Sequence, residues 1–314
     1  MDAIDARLAH GRAAFLWACG LDVAVRKPGN VSRHSAGHGM QAQAFLASAE
    51  VSAGPLFARG VPVGERIEAA VAATRAAVGC NTNLGILLLC APLASALERL
   101  KDGAQDGIVA FDSRGDPPSA APLAGALQAV LADLDIDDAR AAYRAIALAN
   151  PGGLGRSREQ DVAAAPTIDL RSAMALAADR DSIARQYADD YAGVFDCGLA
   201  ALRVARLTSA GLAAAVQTVF LAYLAAWPDT HIVRKLGFAA AQTVTTEAAA
   251  WLARFDRDPA AGESPAFAEW DEGLKTTGIN PGTTADLTVC TLFAGALLRP
   301  EVIGLRVAES WHGS

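Results

Sequence analysis

Apolar residues recur three and four positions apart along almost the whole chain, and segments of alternating β-branched residues are scarce. This pattern restricts the fold more than any other feature, because a helix can bury a stripe of that period and a strand cannot. Helices are expected at 3–24, 40–53, 63–78, 83–100, 121–132, 137–148, 169–177, 180–206, 209–226, 235–255, 263–274 and 284–298, with ends set to about 2–4 residues. Hydrophobic residues fill 52% of the 314 positions and aromatics only 6%, so helices packed through Ala, Leu and Val are expected. The polar stretches 102–120, 150–167 and 257–265 read as surface connections. None resembles a linker, because the helices around them are too apolar to stand alone. The expected architecture is all-α: a single compact multi-helix domain over residues 1–314.

The net charge of −7, with no Lys/Arg run, argues against a nucleic-acid partner. An anionic substrate would need local cations or metal. The five cysteines are far apart and mostly in apolar surroundings, which suits reduced thiols in a cytoplasmic protein. The charged start lacks a signal-peptide core. The longest apolar run, 86–97, contains Pro92 and is shorter than the ~20 residues of a membrane span. Apolar Ala/Leu helices are compatible with a homodimer.

Three Pro-Gly turns interrupt the apolar pattern: Lys27-Pro28-Gly29-Asn30, Asn150-Pro151-Gly152-Gly153 and Asn280-Pro281-Gly282-Thr283. Pro fixes φ and Gly tolerates positive φ, so such turns can bring backbone N–H groups close to a ligand. The stretch 25–40 holds three cations, two histidines, two serines, one asparagine and three glycines, among them Lys27, Gly29, Asn30, Ser32, Arg33, His34 and His38. Gly-rich backbone with Lys and Arg is a reasonable phosphate cradle, although the P-loop spacing is absent. A solvated loop with a helix cap is the plainer alternative.

Asn81, Thr82 and Asn83 open a very apolar helix. They can serve as caps or as an anion site at the helix start. Around Arg156, with Glu159 and Asp161, a Gly-rich stretch could be a lid over a polyphosphate or a plain surface loop. Asp229 stands at an expected helix start beside His231, Arg234 and Lys235. Thr283, Thr284 and Asp286 follow the last Pro-Gly turn, and Asp286 lies one turn into an apolar helix. A carboxylate in such a place tends to be paired, capping or metal-bound. Magnesium uses one or two carboxylates plus substrate phosphates, which makes Asp229 and Asp286 the best candidates for metal or catalysis. The charges between Asp179 and Arg185 read first as an exposed ion-pair face.

With these segments in order, the chain resembles the triphosphoribosyl-dephospho-CoA synthase family. The resemblance rests on Lys27-Pro28-Gly29, on Asn81-Thr82 with Gly85, on Asp229-Thr230, and on Pro281-Gly282 followed by Ala285-Asp286-Leu287. It runs from about residue 15 to 298. Where lyase-serving members continue with Leu-Val-Asp, this chain has Asn30-Val31-Ser32. Their Asn-Thr-His-Lys-Gly becomes Asn81-Thr82-Asn83-Leu84-Gly85, and their Asp-Thr-Asn becomes Asp229-Thr230-His231. It looks more like the archaeal-type branch, which also occurs in methylotrophs. The resemblance implies an all-helical transferase in which a ribose 2′-hydroxyl of dephospho-CoA, or of a related acceptor, attacks C1′ of ATP and adenine leaves. It further implies Mg²⁺ and cations such as Lys27 and Arg33 on the triphosphate, with small-molecule nucleotides as partners. Two alternatives stand beside it. One is a diverged nucleotide-dependent transferase of tetrahydromethanopterin- or methanofuran-linked one-carbon metabolism. The other is a non-catalytic nucleotide-binding protein.

Overall fold

In the computed structural model, residues 2–101, 119–152, 155–157, 159–205 and 211–307 are described. The expected surface connection 102–120 lies almost wholly outside them. Fourteen α-helices follow in order: α1 (Ala3–Ala24), α2 (Ala42–Leu56), α3 (Val63–Val78), α4 (Leu84–Arg99), α5 (Ala121–Ala132), α6 (Ile136–Ala149), α7 (Leu170–Ala175), α8 (Ser182–Ala188), α9 (Leu199–Val204), α10 (Leu212–Ala226), α11 (Thr230–Leu236), α12 (Phe238–Phe255), α13 (Pro265–Thr276) and α14 (Gly282–Leu298). A π-helical turn, Gly193–Gly198, precedes α9. Among the described residues there is no strand, only an isolated bridge between Gly37 and Met40. The all-α expectation holds.

Two helices form the centre. α4 and α14 are apolar nearly all round and are buried accordingly. Gly85 packs on Asp286, and four residues further along the Cys290 thiol approaches the Leu89 carbonyl. Both contacts advance in the same direction, so the two helices run parallel with their N-termini at one end. α1 and α10 flank α14, and Phe15, Phe57 and Phe293 interlock above it with ring centroids 5.9–6.2 Å apart. A second apolar cluster joins α10 to α11, α12 and α13 through Phe220, Ile232, Val244 and Phe267.

Two long helices expected from spacing are broken. The 180–206 segment stops after α8, where Asp190 and Tyr191 adopt φ of 56° and 64°. The break turns two buried tyrosines onto α4: Tyr187 Oη donates to the Leu88 carbonyl at 2.6 Å and Tyr191 Oη to the Leu89 carbonyl at 2.9 Å. Apolar spacing could not show it, because the same residues would also form a continuous stripe. The 235–255 segment is interrupted by Gly237 at φ 89°, and its first part belongs to α11, which begins at the Asp229 cap.

Candidate functional site

The first and last Pro-Gly turns pack against each other. Gly29 has φ 80°, and a Cβ there would lie 2.8 Å from Pro281 Cδ and 2.9 Å from the Ile279 carbonyl oxygen. Only glycine fits that approach. Its N–H donates to Asp271 Oδ1 at 2.9 Å, and the fully buried Asp271 also holds Lys275 Nζ at 2.9 Å and Arg26 Nη1 at 3.3 Å. Asn30 Nδ2 donates to Asn280 Oδ1 at 3.1 Å, and a ring nitrogen of His38 meets the Gly29 carbonyl at 2.8 Å. Lys27, expected on a triphosphate, is wholly buried instead. Its ammonium pairs with Asp22 Oδ1 at 2.9 Å and also donates to the Asp22 carbonyl. A charge in that position is needed to balance a buried carboxylate and cannot reach a ligand without leaving Asp22 unpaired. Ser32 Oγ is buried with no hydrogen-bond partner. Arg33 and His34 are exposed.

The Asn81–Asn83 triplet serves the scaffold. Asn81 Oδ1 accepts from the Leu84 N–H at 3.1 Å, a helix-start bond. Thr82 Oγ1 donates to Ser48 Oγ at 2.6 Å and Asn83 Nδ2 to Ser52 Oγ at 3.3 Å, which joins α4 to α2. Their expected nucleotide contacts therefore compete with bonds already made. The informative residue of this motif is Gly85. A Cβ there would lie 2.6 Å from Asp286 Cγ and 2.7 Å from Ile183 Cδ1.

Asp229 ties two helix starts together. Its Oδ1 accepts from the His231 and Ile232 N–H groups at 2.8 and 3.0 Å, capping α11. Its Oδ2 accepts from Thr284 N and Oγ1, both at 2.7 Å, at the start of α14. Thr230 Oγ1 donates to Thr283 Oγ1 at 3.1 Å and accepts from the Ser182 N–H at 3.4 Å. Burial raises the Asp229 carboxyl, while the Thr284 bonds oppose that rise. With four donors on two oxygens, Asp229 is a positioning group and has little capacity left for a metal.

Asp286 is different. Its side chain is largely packed against Gly85 yet keeps an exposed edge, and no side-chain hydrogen bond engages it among the described residues. Burial, then the charges of Asp22 and Asp229, push its carboxyl well above the usual range. Such a group suits a cation or a developing positive charge. Asp181 stands nearby and pairs with Arg234 Nη1 at 3.0 Å. His231 has a buried Nε2 without a partner, and burial together with Lys235, Arg234 and His38 drives its pKa to about 4. The ring is therefore neutral near pH 7. Gly152 lies beside Lys235 Cε, and exposed Arg156 is on the same connection.

Sequence reasoning found Asp229, Asp286 and their threonines. It missed Asp22, Asp271 and the role of Gly85, and it treated Asp181 as surface charge. A carboxylate in the apolar second half of α1, five positions before a conspicuous lysine, was the available signal for Asp22. Among the described residues no three His, Cys, Asp or Glu side chains are grouped to hold a metal ion. A cation at Asp286 would thus take its remaining ligands from substrate phosphates and water, as magnesium commonly does.

A family model of ATP:dephospho-CoA triphosphoribosyl transferases matches residues 9–303. Among solved structures the chain is similar to one from Archaeoglobus fulgidus, a protein only provisionally assigned as a triphosphoribosyl-dephospho-CoA synthase. The TM-score is 0.57 and the identity 24%, over 83% of this chain and 100% of that one. At this identity the likeness shows the fold. No match to a curated protein was found. No single helix among the described residues is long and apolar enough to cross a membrane.

Proposed function

The chain belongs to the ATP:dephospho-CoA triphosphoribosyl transferase family, and from that premise we propose that its chemistry is centred on Asp286. The family reaction moves the triphosphoribosyl group of ATP to dephospho-CoA. The bond between C1′ and adenine breaks, a bond from C1′ to an acceptor hydroxyl forms, and the hydroxyl proton lost is balanced by the proton adenine gains. Positive charge develops on the ribose as adenine departs, and a nearby carboxylate stabilises it. The observation that carries this assignment is the Asp286 carboxyl: partly open, without a hydrogen bond among the described residues, and given its space by Gly85.

In this reading Asp229 holds the starts of α11 and α14 in register through the buried Thr284, while Thr283 ties in Thr230. Lys235, Arg33 and Arg156 are exposed, and this reading assigns them to the triphosphate. Magnesium fits Asp286 and, when bound, would supply neutralisation of the triphosphate. The neutral His231 ring offers a hydrogen-bonding nitrogen and adds no charge of its own. No observation favours the one-carbon or non-catalytic alternatives. A cytoplasmic location follows the reduced-thiol reading. A homodimer would cover Leu236 and Phe238, which are 47% and 62% exposed, and sedimentation tests it.

The deciding experiment measures adenine released from ATP with and without dephospho-CoA. Release that requires dephospho-CoA supports the assignment. No release, or release independent of the acceptor, refutes it.

A further inference from the structure

A cavity of about 360 Å³ opens between α8, the π-helical turn and Trp227, within the ~300–1,000 Å³ range of small-molecule sites. Its inner wall is formed by Ser182 and Leu287, chain neighbours of Asp181 and Asp286. Ser182 is also bonded to Thr230 of the same polar cluster. Around its mouth stand Arg185, Asp189, Asp196 and Trp227. Trp227 lies with its ring 6.2 Å from that of Tyr223 and is 36% exposed, so part of a large ring is open at the cavity. Apart from Ser182, no residue of this cavity takes part in the site described above.

The backbone on one side is strained. Asp190 and Tyr191 hold left-handed φ, and the next turn, Gly193–Gly198, is π-helical. A bulky residue at positive φ is an outlier, and both strain and π-turns concentrate near functional sites. Asp189 precedes this segment and Asp196 lies within its π-helical turn, and both line the cavity.

We propose that this cavity is a purine subsite that takes an adenine base, stacked on Trp227 with Asp189 or Asp196 accepting from its exocyclic amine and Arg185 donating to a ring nitrogen. The inference rests on the transferase reading above. In that reaction the reacting carbon is one bond from adenine, so a base subsite must adjoin the group that stabilises C1′. Leu287 in the wall of this cavity is the chain neighbour of Asp286. Adenine is present in both the ATP donor and the dephospho-CoA acceptor, and the same chemistry would recognise either.

The test is calorimetric binding of four probes (free adenine, ATP, dephospho-CoA and inorganic tripolyphosphate) to the full chain and to Trp227→Ala, Trp227→Phe and Asp189→Asn. Loss of one stacking ring is expected to weaken adenine binding by about 5- to 150-fold. Trp227→Phe should keep most of the affinity, and tripolyphosphate should bind all four proteins equally. A parallel loss for ATP alone assigns the donor base, and for dephospho-CoA alone the acceptor base. If the wild-type chain binds nucleotides but Trp227→Ala binds adenine and both nucleotides unchanged, the subsite is refuted while the transferase reading stands. If Trp227→Ala loses tripolyphosphate equally, or Trp227→Phe loses adenine as fully as Trp227→Ala, stacking is refuted. If the wild-type chain binds no nucleotide, both readings fall.

Discussion

Replacing Gly85 by alanine separates ordinary helix energetics from the demands of the site. Gly85 is the second residue of α4, where alanine would normally gain ~1 kcal/mol in helix propensity. Here the new methyl would lie 2.6 Å from Asp286 Cγ and 2.7 Å from Ile183 Cδ1, well inside van der Waals contact. Overpacking of this kind costs ~1–3 kcal/mol, so the sum lies between neutral and about 2 kcal/mol destabilising. That is a fall of a few degrees in Tm at most for a chain of this size. Activity should suffer far more, because the cheapest relief is movement of the Asp286 carboxyl. A displacement of about 1 Å in a catalytic group costs ~10²-fold. Gly20→Ala in α1 is the matched control: nothing lies within 4 Å of its Cβ, so it should gain about 0.5–1 kcal/mol with full activity. Calorimetric melting and adenine release measured on both variants decide the matter. A Gly85→Ala protein that melts higher and turns over like Gly20→Ala would refute the reasoning.

Asp286→Asn should lower adenine release by ~10²-fold or more. Because the native carboxyl titrates above its unfolded value, its ionisation opposes folding; the variant should be more stable than wild type above about pH 4 and equal to it below. Equal activity would remove Asp286 from the chemistry. His231 shows the opposite sign: its pKa falls from 6.5 to about 4, so its share of stability is present above pH ~6.5 and lost as the pH falls to about 4. That share is on the order of 3 kcal/mol. Urea unfolding of wild type and His231→Asn across this window should show wild type losing ground as the solution is acidified, and parallel curves would sink the claim. ATP should bind more tightly with magnesium than in EDTA by calorimetry; the same affinity in both would argue against a cation at Asp286.

The helices were legible because their apolar period is long and strong, and most ends fell within a few residues. The breaks at Asp190 and Gly237 were not, since a left-handed residue leaves no mark on hydrophobic spacing. In the site, Asp229 and Asp286 were readable as polar residues in apolar settings. The partners of Lys27, Asn81, Thr82 and Asn83 were not. Lys27 answers a carboxylate at the end of the preceding helix α1, and Thr82 and Asn83 answer serines on α2. A local sequence shows that a polar group is present but cannot show whether protein or ligand satisfies it. Gly85 illustrates the limit: its reason is a side chain 201 positions away.

The stretch of sequence that each contact must close has its own consequence. Gly29 meets Asp271 across 242 positions and Asn30 meets Asn280 across 250. A nascent chain therefore cannot assemble this end of the molecule until nearly all of it has been synthesised, and contacts of such separation close slowly. Recovery of adenine release during refolding should lag behind recovery of helical circular dichroism. No fragment ending before α14 should bind the triphosphate.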